Sequence, residues 1–319
     1  MSLELLKDYL HQEFEQVDAQ IDLTISSETR LTREVVEYVR AGRSKRLRPA
    51  MVLLAVKTCD YQGKDDVKIA AALELIHLAT LLHDDVIDEA DMRHGRPSVN
   101  ARWGDDVAIL MADFLYSRAF NLAFNCLQPE LLHILTQVTG EMCEGEMFQI
   151  QQSSELLSTD DYFRIIRSKT ANLFSACMQL GSLLAEADSS TEQKFKELGM
   201  NFGIAFQITD DTLDYTAKNN RWGKIVGTDA AGGKLTLPLI HTLEVASPED
   251  RKCLVDCLNN GSDFNVIIKH IEEYNGIQHA LDIARDYADR AREALAAITP
   301  NEASEHITWL TDFVVERTF

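Results

Sequence analysis

Two short acidic segments carry the side chains with the clearest chemical potential. Both follow the pattern Asp-Asp-x-x-Asp, with Asp84, Asp85 and Asp88 in the first acidic segment (84–88) and Asp210, Asp211 and Asp214 in the second acidic segment (210–214). Residues four positions apart in an α-helix lie about one turn apart on the same face, so each segment places its outer aspartates side by side. Each segment follows a mostly apolar stretch, which predicts that both lie at the ends of buried helices.

Carboxylates crowded at a helix end favour a bound cation. Their charges repel one another and lose hydration where the helix is buried, and a hard divalent cation relieves both effects. Magnesium suits such a site, because it takes few carboxylates and completes its shell with water and phosphate oxygens. A single acidic cluster is more often a solvated helix end, whereas two copies of one pattern favour metal binding.

Basic residues gather near the acidic segments of a chain that is otherwise acidic. They are Arg43, Lys45, Arg46 and Arg48, then Arg93, His94 and Arg96, then Lys169, and finally Lys224 and Lys234. Cations beside an aspartate–metal site indicate a di- or triphosphate ligand, since arginine binds phosphate oxygens bidentately and lysine acts as a point charge. The glycine-rich loop after the second acidic segment is not a P-loop. It lacks the P-loop pattern Gly-x-x-x-x-Gly-Lys-Ser/Thr and follows no predicted strand.

Helical periodicity dominates the stretches that must position these residues, since apolar residues recur at three- and four-residue steps. The predicted helices cover 2–23, 30–41, 48–59, 66–89, 105–125, 129–152, 159–186, 191–216, 234–245, 248–258, 263–274, 276–297 and 302–317. The runs 158–160 and 189–191 are typical of helix N-caps. No segment alternates convincingly as a strand would, and no Ser/Gly-rich linker divides the chain. We therefore predict one all-α domain over residues 1–319.

The overall composition narrows the class of protein. The 319 residues are 45% hydrophobic and carry a formal net charge of −20, which permits a sizeable core and disfavours nucleic acid as a partner. The six cysteines form no CxxC pair and no zinc spacing, and the N-terminal residues do not fit a signal peptide. The longest uncharged run, 170–185, is too short and too polar to span a membrane. We expect a cytoplasmic protein without stable membrane insertion.

The motifs of the chain resemble those of the trans-isoprenyl diphosphate synthases, in particular the long-chain, octaprenyl-type bacterial enzymes. The similarity covers nearly the whole chain and rests on KRLRP (45–49), LIHLATLLHDDVIDEADMRHGRPS (75–98), EGEMFQ (144–149), SKTANLF (168–174), FQITDDTLDY (206–215) and GKIVGTDAAGGKLTLP (223–238). The resemblance implies an all-α, isoprenoid synthase-type helical bundle around a deep central cavity, assembled as a homodimer.

The resemblance also implies a role for individual residues. The six aspartates of the two acidic segments would bind three magnesium ions together with the diphosphate of an allylic substrate. Arg93, Lys169 and Lys234 match residues that hold the allylic diphosphate, and Lys224 matches the lysine of the loop after the second motif. Lys45, Arg48 and His77 match the site for isopentenyl diphosphate, and Thr170 and Gln207 match polar groups near the reacting carbons.

The implied reaction condenses isopentenyl diphosphate with an allylic diphosphate such as farnesyl diphosphate. Metal and cationic side chains stabilise charge on the leaving diphosphate, so the allylic carbon–oxygen bond ionises. The carbocation must be kept from water. The double bond of isopentenyl diphosphate then attacks the carbocation, and a proton is lost. Released diphosphate can accept that proton, which fits the lack of an evident catalytic triad or base. The resemblance favours a long-chain, octaprenyl product, used for quinone side chains.

Several positions depart from the family pattern. His94 stands where a second arginine normally binds isopentenyl diphosphate, and a histidine is only partly charged near neutral pH. We therefore predict weaker, pH-dependent binding of that substrate. Ser44, Leu235 and Ala112 replace a glycine, a proline and a glycine, and we expect these changes to be tolerated.

Product length depends on the side chains below the first acidic segment. Short-chain members of the family carry bulky aromatics at the positions of Ala79 and Thr80, where this chain has small side chains. Ile76 lies about one turn further along the helix. Phe120, on the predicted helix 105–125, is a candidate for the floor of the cavity, although plain core packing explains it equally well.

Four alternatives remain open at this point. A shorter-chain geranylgeranyl or farnesyl diphosphate synthase would share every motif. A catalytically weak regulatory subunit of a heteromeric synthase is disfavoured by the intact aspartates, and a terpene cyclase by the second Asp-Asp-x-x-Asp. A carboxylate-bridged di-iron bundle needs two Glu-x-x-His pairs, of which Glu74–His77 is the single candidate.

Overall fold

The computed structural model describes residues 2–42, 45–152, 156–216, 235–260 and 264–317, which are predominantly helical. The helices are α1 (Leu3–Tyr9), α2 (His11–Thr24), α3 (Arg30–Arg40), α4 (Leu47–Thr58), α5 (Asp66–Ile87), α6 (Val99–Trp103), α7 (Asp105–Phe124), α8 (Pro129–Gln152), α9 (Thr159–Ile166), α10 (Asn172–Leu184), α11 (Ser189–Thr216), α12 (Leu237–Val245), α13 (Pro248–Asn260), α14 (Phe264–Glu273), α15 (Gly276–Ala296) and α16 (Glu302–Glu316). A π-helical segment (Arg167–Ala171) joins α9 to α10. The predicted all-α class is confirmed.

The chain divides into two compact units. Unit 1 comprises Met1–Thr139, Ala176–Lys196 and Thr299–Ile307. Unit 2 comprises Gly140–Ser175, Glu197–Ile298 and Thr308–Phe319. The first acidic segment belongs to unit 1 and the second to unit 2. The single domain over 1–319 and its central cavity stay predictions.

Helix α5 is a buried central helix of unit 1. Every residue from Ile69 to Ile76 is buried, which is the pattern of a helix surrounded on several sides. It packs against α2, α4 and α7. Because α5 is held along its length, its last turn presents the first acidic segment from a rigid support.

Two glycines allow close packing around the π-helical segment of unit 2. A Cβ atom at Gly145 of α8 would lie 2.3 Å from Cβ of Ser168, and one at Gly203 of α11 would lie 2.5 Å from Cα of Ala171. Any larger residue would overlap these neighbours, so the segment is clamped between α8 and α11. A π-turn within a helix is rare and is frequent at functional sites.

An apolar cluster in unit 2 packs around the end of α11. It consists of Tyr215, Leu239, Leu243, Leu254, Ile267 and Ile271 from helices α11 to α14. The hydroxyl of Tyr215 also lies 2.6 Å from Oγ1 of Thr236, and both side chains are buried. These contacts fix the helix turn that carries Asp214.

Local structure departs from the predicted helices at several points. The predicted helix 2–23 breaks at Leu10 into α1 and α2, and the predicted helix 159–186 contains the π-helical segment. A short antiparallel hairpin, β1 (Met92–Arg93) and β2 (Arg96–Pro97), was not predicted because strands this short have no alternation to detect. The short helix α6 was also not predicted.

One predicted N-cap is confirmed and the other is displaced. Ser158 caps α9 in a reciprocal capping box with Asp161. At the start of α11 the capping carboxylate belongs to Asp188, which accepts hydrogen bonds from the backbone N–H groups of Ser190 and Thr191. The predicted cap at 189–191 was therefore wrong by one residue, because Asp188 competes effectively for the same donors.

Helix α7 is long and apolar enough to cross a membrane by length and composition alone. This is weak evidence, since core helices of soluble proteins satisfy the same criterion. The absence of stable membrane insertion stays a prediction.

Candidate functional site

The first acidic segment lies at the C-terminal end of α5. Asp84 is half-buried in the last turn, and Asp88 is the exposed C-cap residue, whose N–H donates to the carbonyl oxygen of Asp84 across 2.8 Å. Asp85 differs from both, because it is buried and accepts a 2.7 Å hydrogen bond from Nε of Arg93. Burial raises the pKa of the Asp85 carboxyl, and Arg93 opposes that shift.

The hairpin that supplies Arg93 turns at His94 and Gly95. Both residues have positive φ angles, 50° and 76°, as a two-residue hairpin turn of type I′ requires. Histidine is among the residues enriched in this left-handed region, so the local backbone accounts for its tolerance here. The helix that follows the hairpin contacts the end of α5, because Nδ2 of Asn100 donates to the carbonyl oxygen of Asp85 across 3.2 Å.

Two residues predicted to bind isopentenyl diphosphate, Arg48 and His94, lie near enough to His77 to affect its charge. Burial lowers the pKa of His77 well below its ordinary value, and the charges of Arg48, Arg93 and His94 lower it further. His77 is therefore neutral, with cationic groups near it in unit 1. Lys45, the remaining predicted residue of this group, is exposed.

Glu74, considered above as a possible di-iron ligand, forms an ion pair with Arg46. Its Oε1 accepts a 2.7 Å hydrogen bond from Nη1 of Arg46, whose Nη2 also donates to Asp18. The Glu74 side chain is 1% exposed, so Arg46 supplies the charge that offsets a buried carboxylate. The Glu74–His77 pair therefore gives no support to a di-iron centre.

The second acidic segment repeats the arrangement of the first, with its middle residue bound to protein. Asp210 is exposed and Asp214 is half-buried near the end of α11. Asp211 is buried and accepts a 2.6 Å hydrogen bond from the hydroxyl of Tyr162 and a 2.7 Å hydrogen bond from Nε2 of Gln207. Burial, and then Asp211, raises the pKa of Tyr162 well above its ordinary value, so its hydroxyl remains a donor.

The π-helical segment places two predicted residues beside this network. The hydroxyl of Thr170 donates to Oε1 of Gln207 across 2.7 Å. Nζ of Lys169 lies 2.5 Å from Oε2 of Glu146 on α8, and both side chains are mostly buried. The structure thus brings Thr170, Gln207 and Asp211 into direct contact and gives Lys169 a carboxylate partner.

Arg317 is a residue of unit 2 that sequence reasoning missed. Its Nη2 donates to Oδ1 of Asp210 across 3.2 Å and to the carbonyl oxygen of Phe206 across 3.0 Å. The guanidinium also lies 4.2 Å from the centre of the Phe206 ring. No local pattern near the C-terminus indicated this role, since the contact joins residues 107 positions apart. Tyr162 was missed for the same reason, whereas Glu146 lay inside the recognised EGEMFQ motif.

The donor chemistry of the acidic segments fits magnesium. In the part of the chain that the structure describes, no group of three or more His, Cys, Asp or Glu side chains is close enough to hold a metal alone. Each segment instead offers an outer pair of carboxylates, Asp84 with Asp88 and Asp210 with Asp214. Such pairs suit a hard cation that takes its remaining oxygens from water and phosphate. Metal ligation by the six aspartates stays a prediction.

Some predicted residues fall outside the described ranges. They are Arg43, Ser44, Lys224 and Lys234. Their predicted roles are neither supported nor contradicted here. Leu235 and Ala112 are described, and Ala112 is fully buried in α7.

The chain-length candidates occupy the packed region between α5 and α7. Ala79 and Ile76 are completely buried, and Thr80 is half-buried with its hydroxyl donating to the carbonyl oxygen of His77. Phe120 is half-buried and stacks on Tyr116, with ring centres 6.2 Å apart. Their roles in product length stay predictions.

Comparisons with known proteins identify the family of the chain. A family model described as polyprenyl synthetase matches residues 29–274. The octaprenyl diphosphate synthase of Escherichia coli is 33% identical over 99% of each chain, and a short chain isoprenyl diphosphate synthase of Methanothermobacter thermautotrophicus is 33% identical over 97% of this chain and 98% of the relative. The solved polyprenyl synthase of Caulobacter crescentus, a complex with calcium and isoprenyl diphosphate, has a TM-score of 0.94 and 33% identity, covering 100% of this chain and 98% of that one.

The family match spans both acidic segments, the hairpin and the π-helical segment. The relatives are matched over nearly their full length. The chain therefore belongs to the polyprenyl synthetase family, the trans-isoprenyl diphosphate synthases.

Proposed function

We propose that this enzyme condenses isopentenyl diphosphate with an allylic diphosphate, farnesyl or similar, to give a long-chain all-trans polyprenyl diphosphate. The observation that carries the proposal is the pair of intact acidic segments, each near the end of a long helix, in a chain that matches a relative over 99% of both lengths. A cytoplasmic location follows as an expectation from the acidic composition and unpaired cysteine spacing.

The residues of the chain divide the work as follows. Asp84, Asp88, Asp210 and Asp214 would hold magnesium, three ions in all by family resemblance. When bound, magnesium supplies positive charge that stabilises the leaving diphosphate. Asp85 and Asp211 are engaged by Arg93 and by Tyr162 and Gln207, so they support the outer aspartates and the polar groups beside them.

The cationic side chains would bind the two diphosphates. Arg93 contacts Asp85 of the first acidic segment and Lys169 contacts Glu146 of α8, so each already has a carboxylate partner. Arg48 and His77 would bind isopentenyl diphosphate, with His77 acting as a neutral hydrogen-bonding group. Thr170 and Gln207 would direct fixed dipoles towards the reacting carbons, a favourable arrangement because pre-set dipoles need no reorganisation.

An octaprenyl product, used for a quinone side chain, is the favoured outcome. The small side chains of Ala79 and Thr80 support it, because short-chain members of the family carry bulky aromatics at these two positions. A shorter-chain synthase is the alternative, because a short chain enzyme has the same identity to this chain as an octaprenyl enzyme.

A homodimer is supported by the exposed apolar side chains of α7 and the turn that follows it. Leu110 is 67% exposed, Phe124 63% and Leu127 84%, a group that a second copy of the chain would cover. We expect a dimer by light scattering after size exclusion, and a monomer for Leu110→Glu. Leu23→Glu on α2 is the matched control, because Leu23 is equally exposed elsewhere. A monomeric wild-type protein contradicts the proposal.

Incorporation of labelled isopentenyl diphosphate tests the proposed reaction. We expect Asp84→Asn and Asp210→Asn to reduce incorporation by roughly a hundredfold or more, the size of losing one electrostatic stabiliser. Glu249→Gln, an exposed first-turn residue of α13, is the control and should keep full activity. Equal activity of all four proteins would contradict the assignment of the acidic segments.

A further inference from the structure

A continuous hydrogen-bonded chain of four side chains runs through unit 2. Thr170 donates to Gln207 across 2.7 Å, and Gln207 donates to Oδ1 of Asp211 across 2.7 Å. Tyr162 donates to Oδ2 of the same carboxylate across 2.6 Å. Three of these residues are named by family resemblance, whereas Tyr162 belongs to none of the recognised motifs.

The direction of each bond in this chain is set by chemistry. An ionised carboxylate only accepts, so the amide of Gln207 must turn its NH₂ group towards Asp211. Its carbonyl oxygen then faces Thr170, and the hydroxyl of Thr170 must be the donor. The orientation of Asp211 therefore decides which groups of Gln207 and Thr170 remain turned towards a substrate.

Tyr162 is the part of the network that holds Asp211 from the protein interior. Tyr162 is 3% exposed and Asp211 is 8% exposed. Water therefore has little access to replace the phenol hydroxyl as a hydrogen-bond donor. Tyr162 lies on α9, whose start is fixed by the capping box of Ser158 and Asp161. Its ring also packs edge-on against Phe163, with centres 5.7 Å apart.

We propose that Tyr162 is a positioning residue for prenyl transfer, acting through Asp211 to fix the orientations of Gln207 and Thr170. The proposal rests on the proposed function of those two residues near the reacting carbons. In this assignment Tyr162 acts through Asp211 and makes no contact of its own with either substrate. Without its hydroxyl, Asp211 loses the 2.6 Å hydrogen bond that holds Oδ2, and the amide of Gln207 loses its fixed direction.

Tyr162→Phe tests this assignment, because it removes the hydroxyl and keeps the packed ring. Tyr274→Phe is a matched control, since the hydroxyl of Tyr274 donates to Oδ2 of Asp250 across the same 2.6 Å, and neither residue belongs to the predicted site. We expect kcat of Tyr162→Phe to fall roughly tenfold to a hundredfold, with KM for both diphosphates changed by less than about twofold. Tyr274→Phe should retain kcat, because it removes a hydroxyl–carboxylate hydrogen bond of the same length outside the predicted site.

A double-mutant cycle with Gln207→Ala separates positioning from a general structural effect. If Tyr162 acts through Gln207, removing its hydroxyl in the Gln207→Ala background should lower kcat much less than in the wild type. An equal loss in both backgrounds, or a kcat for Tyr162→Phe equal to that of Tyr274→Phe, overturns the proposal. A wild-type protein that incorporates no isopentenyl diphosphate would contradict the proposed function, and the assignment of Tyr162 would fall with it.

Discussion

Nε of Arg93 donates a 2.7 Å hydrogen bond to Oδ1 of Asp85, and this contact sets the middle aspartate of the first acidic segment apart from its neighbours. The Asp85 side chain is 3% exposed, whereas Asp88 lies at the surface. The same division recurs in the second acidic segment, where Asp211 is the buried member. The outer and middle aspartates should therefore fail in different ways when they are substituted.

Substituting outer and middle aspartates of the first segment should give distinct defects. We expect Asp84→Asn and Asp88→Asn to raise the magnesium concentration for half-maximal activity by about tenfold or more, since each removes a metal-binding oxygen. Asp85→Asn should instead lower the free energy of unfolding by about 1–3 kcal/mol, because it breaks a buried charge-assisted hydrogen bond. Magnesium titration of activity and denaturant unfolding measure the two effects. Identical magnesium dependence in all three variants would contradict this division.

The charge of residue 94 should control the affinity for isopentenyl diphosphate. We expect His94→Arg to lower KM for this substrate about tenfold near pH 8, where histidine is mostly neutral, and to have little effect near pH 6. His94→Asn is the control, since asparagine suits the positive φ of 50° and has no charge. KM measured across this pH range checks the prediction, which fails if His94→Arg and wild type have the same KM throughout.

The free energy of unfolding should decrease at acidic pH, because His77 is neutral in the folded protein. Its pKa in the folded protein is well below the value of about 6.5 for an unfolded chain. Below that pH the unfolded chain binds a proton that the folded protein excludes, so the free energy of unfolding decreases as the pH falls. Above about pH 6.5 this group contributes no further change.

His77→Gln isolates that contribution. We expect the melting temperature to drop between about pH 7.5 and about pH 5.5 in the wild type, and to drop less in the variant. His241 and His306 shift the wild-type curve in the same direction, because burial lowers their pKa values too. The informative quantity is therefore the difference between the two proteins, and parallel curves would rule out the buried neutral state of His77.

An aromatic side chain at position 80 should shorten the product. Thr80→Phe places a ring beside the path below the first acidic segment, at a half-buried position that has room to adjust. Leu81→Phe is the control, because the next residue of the helix points about 100° away. Chromatographic sizing of the dephosphorylated products should show shorter chains for Thr80→Phe alone. Unchanged products would place the length-determining residue elsewhere.

Periodicity predicted most of the helices and the spacing of the outer aspartates by one helical turn. The four-residue spacing of Asp84 and Asp88 implies a shared face for any sequence that forms a helix there. The hydrogen bond between Asp85 and Arg93 could not be predicted in the same way. It depends on a hairpin that turns through two residues with positive φ. Helical spacing alone says nothing about which neighbour covers the third aspartate.

Contacts distant in sequence account for what prediction missed. The π-helical segment has ordinary helix-forming residues, and its form reflects close packing at Gly145 and Gly203 from two other helices. Arg317 reaches Asp210 from 107 positions away, and Tyr162 reaches Asp211 from 49. Tertiary packing decides these pairings, so a pattern read along one helix contains no signal for them.

The length of the product tests most directly whether this enzyme is a long-chain prenyltransferase. The purified protein would be incubated with magnesium, farnesyl diphosphate and labelled isopentenyl diphosphate, and the dephosphorylated products would be separated by length. We expect magnesium-dependent incorporation and a ladder of products that ends at the octaprenyl length. Absence of incorporation, beside an active synthase assayed in parallel, would contradict the assignment of this chain as a catalytic prenyltransferase.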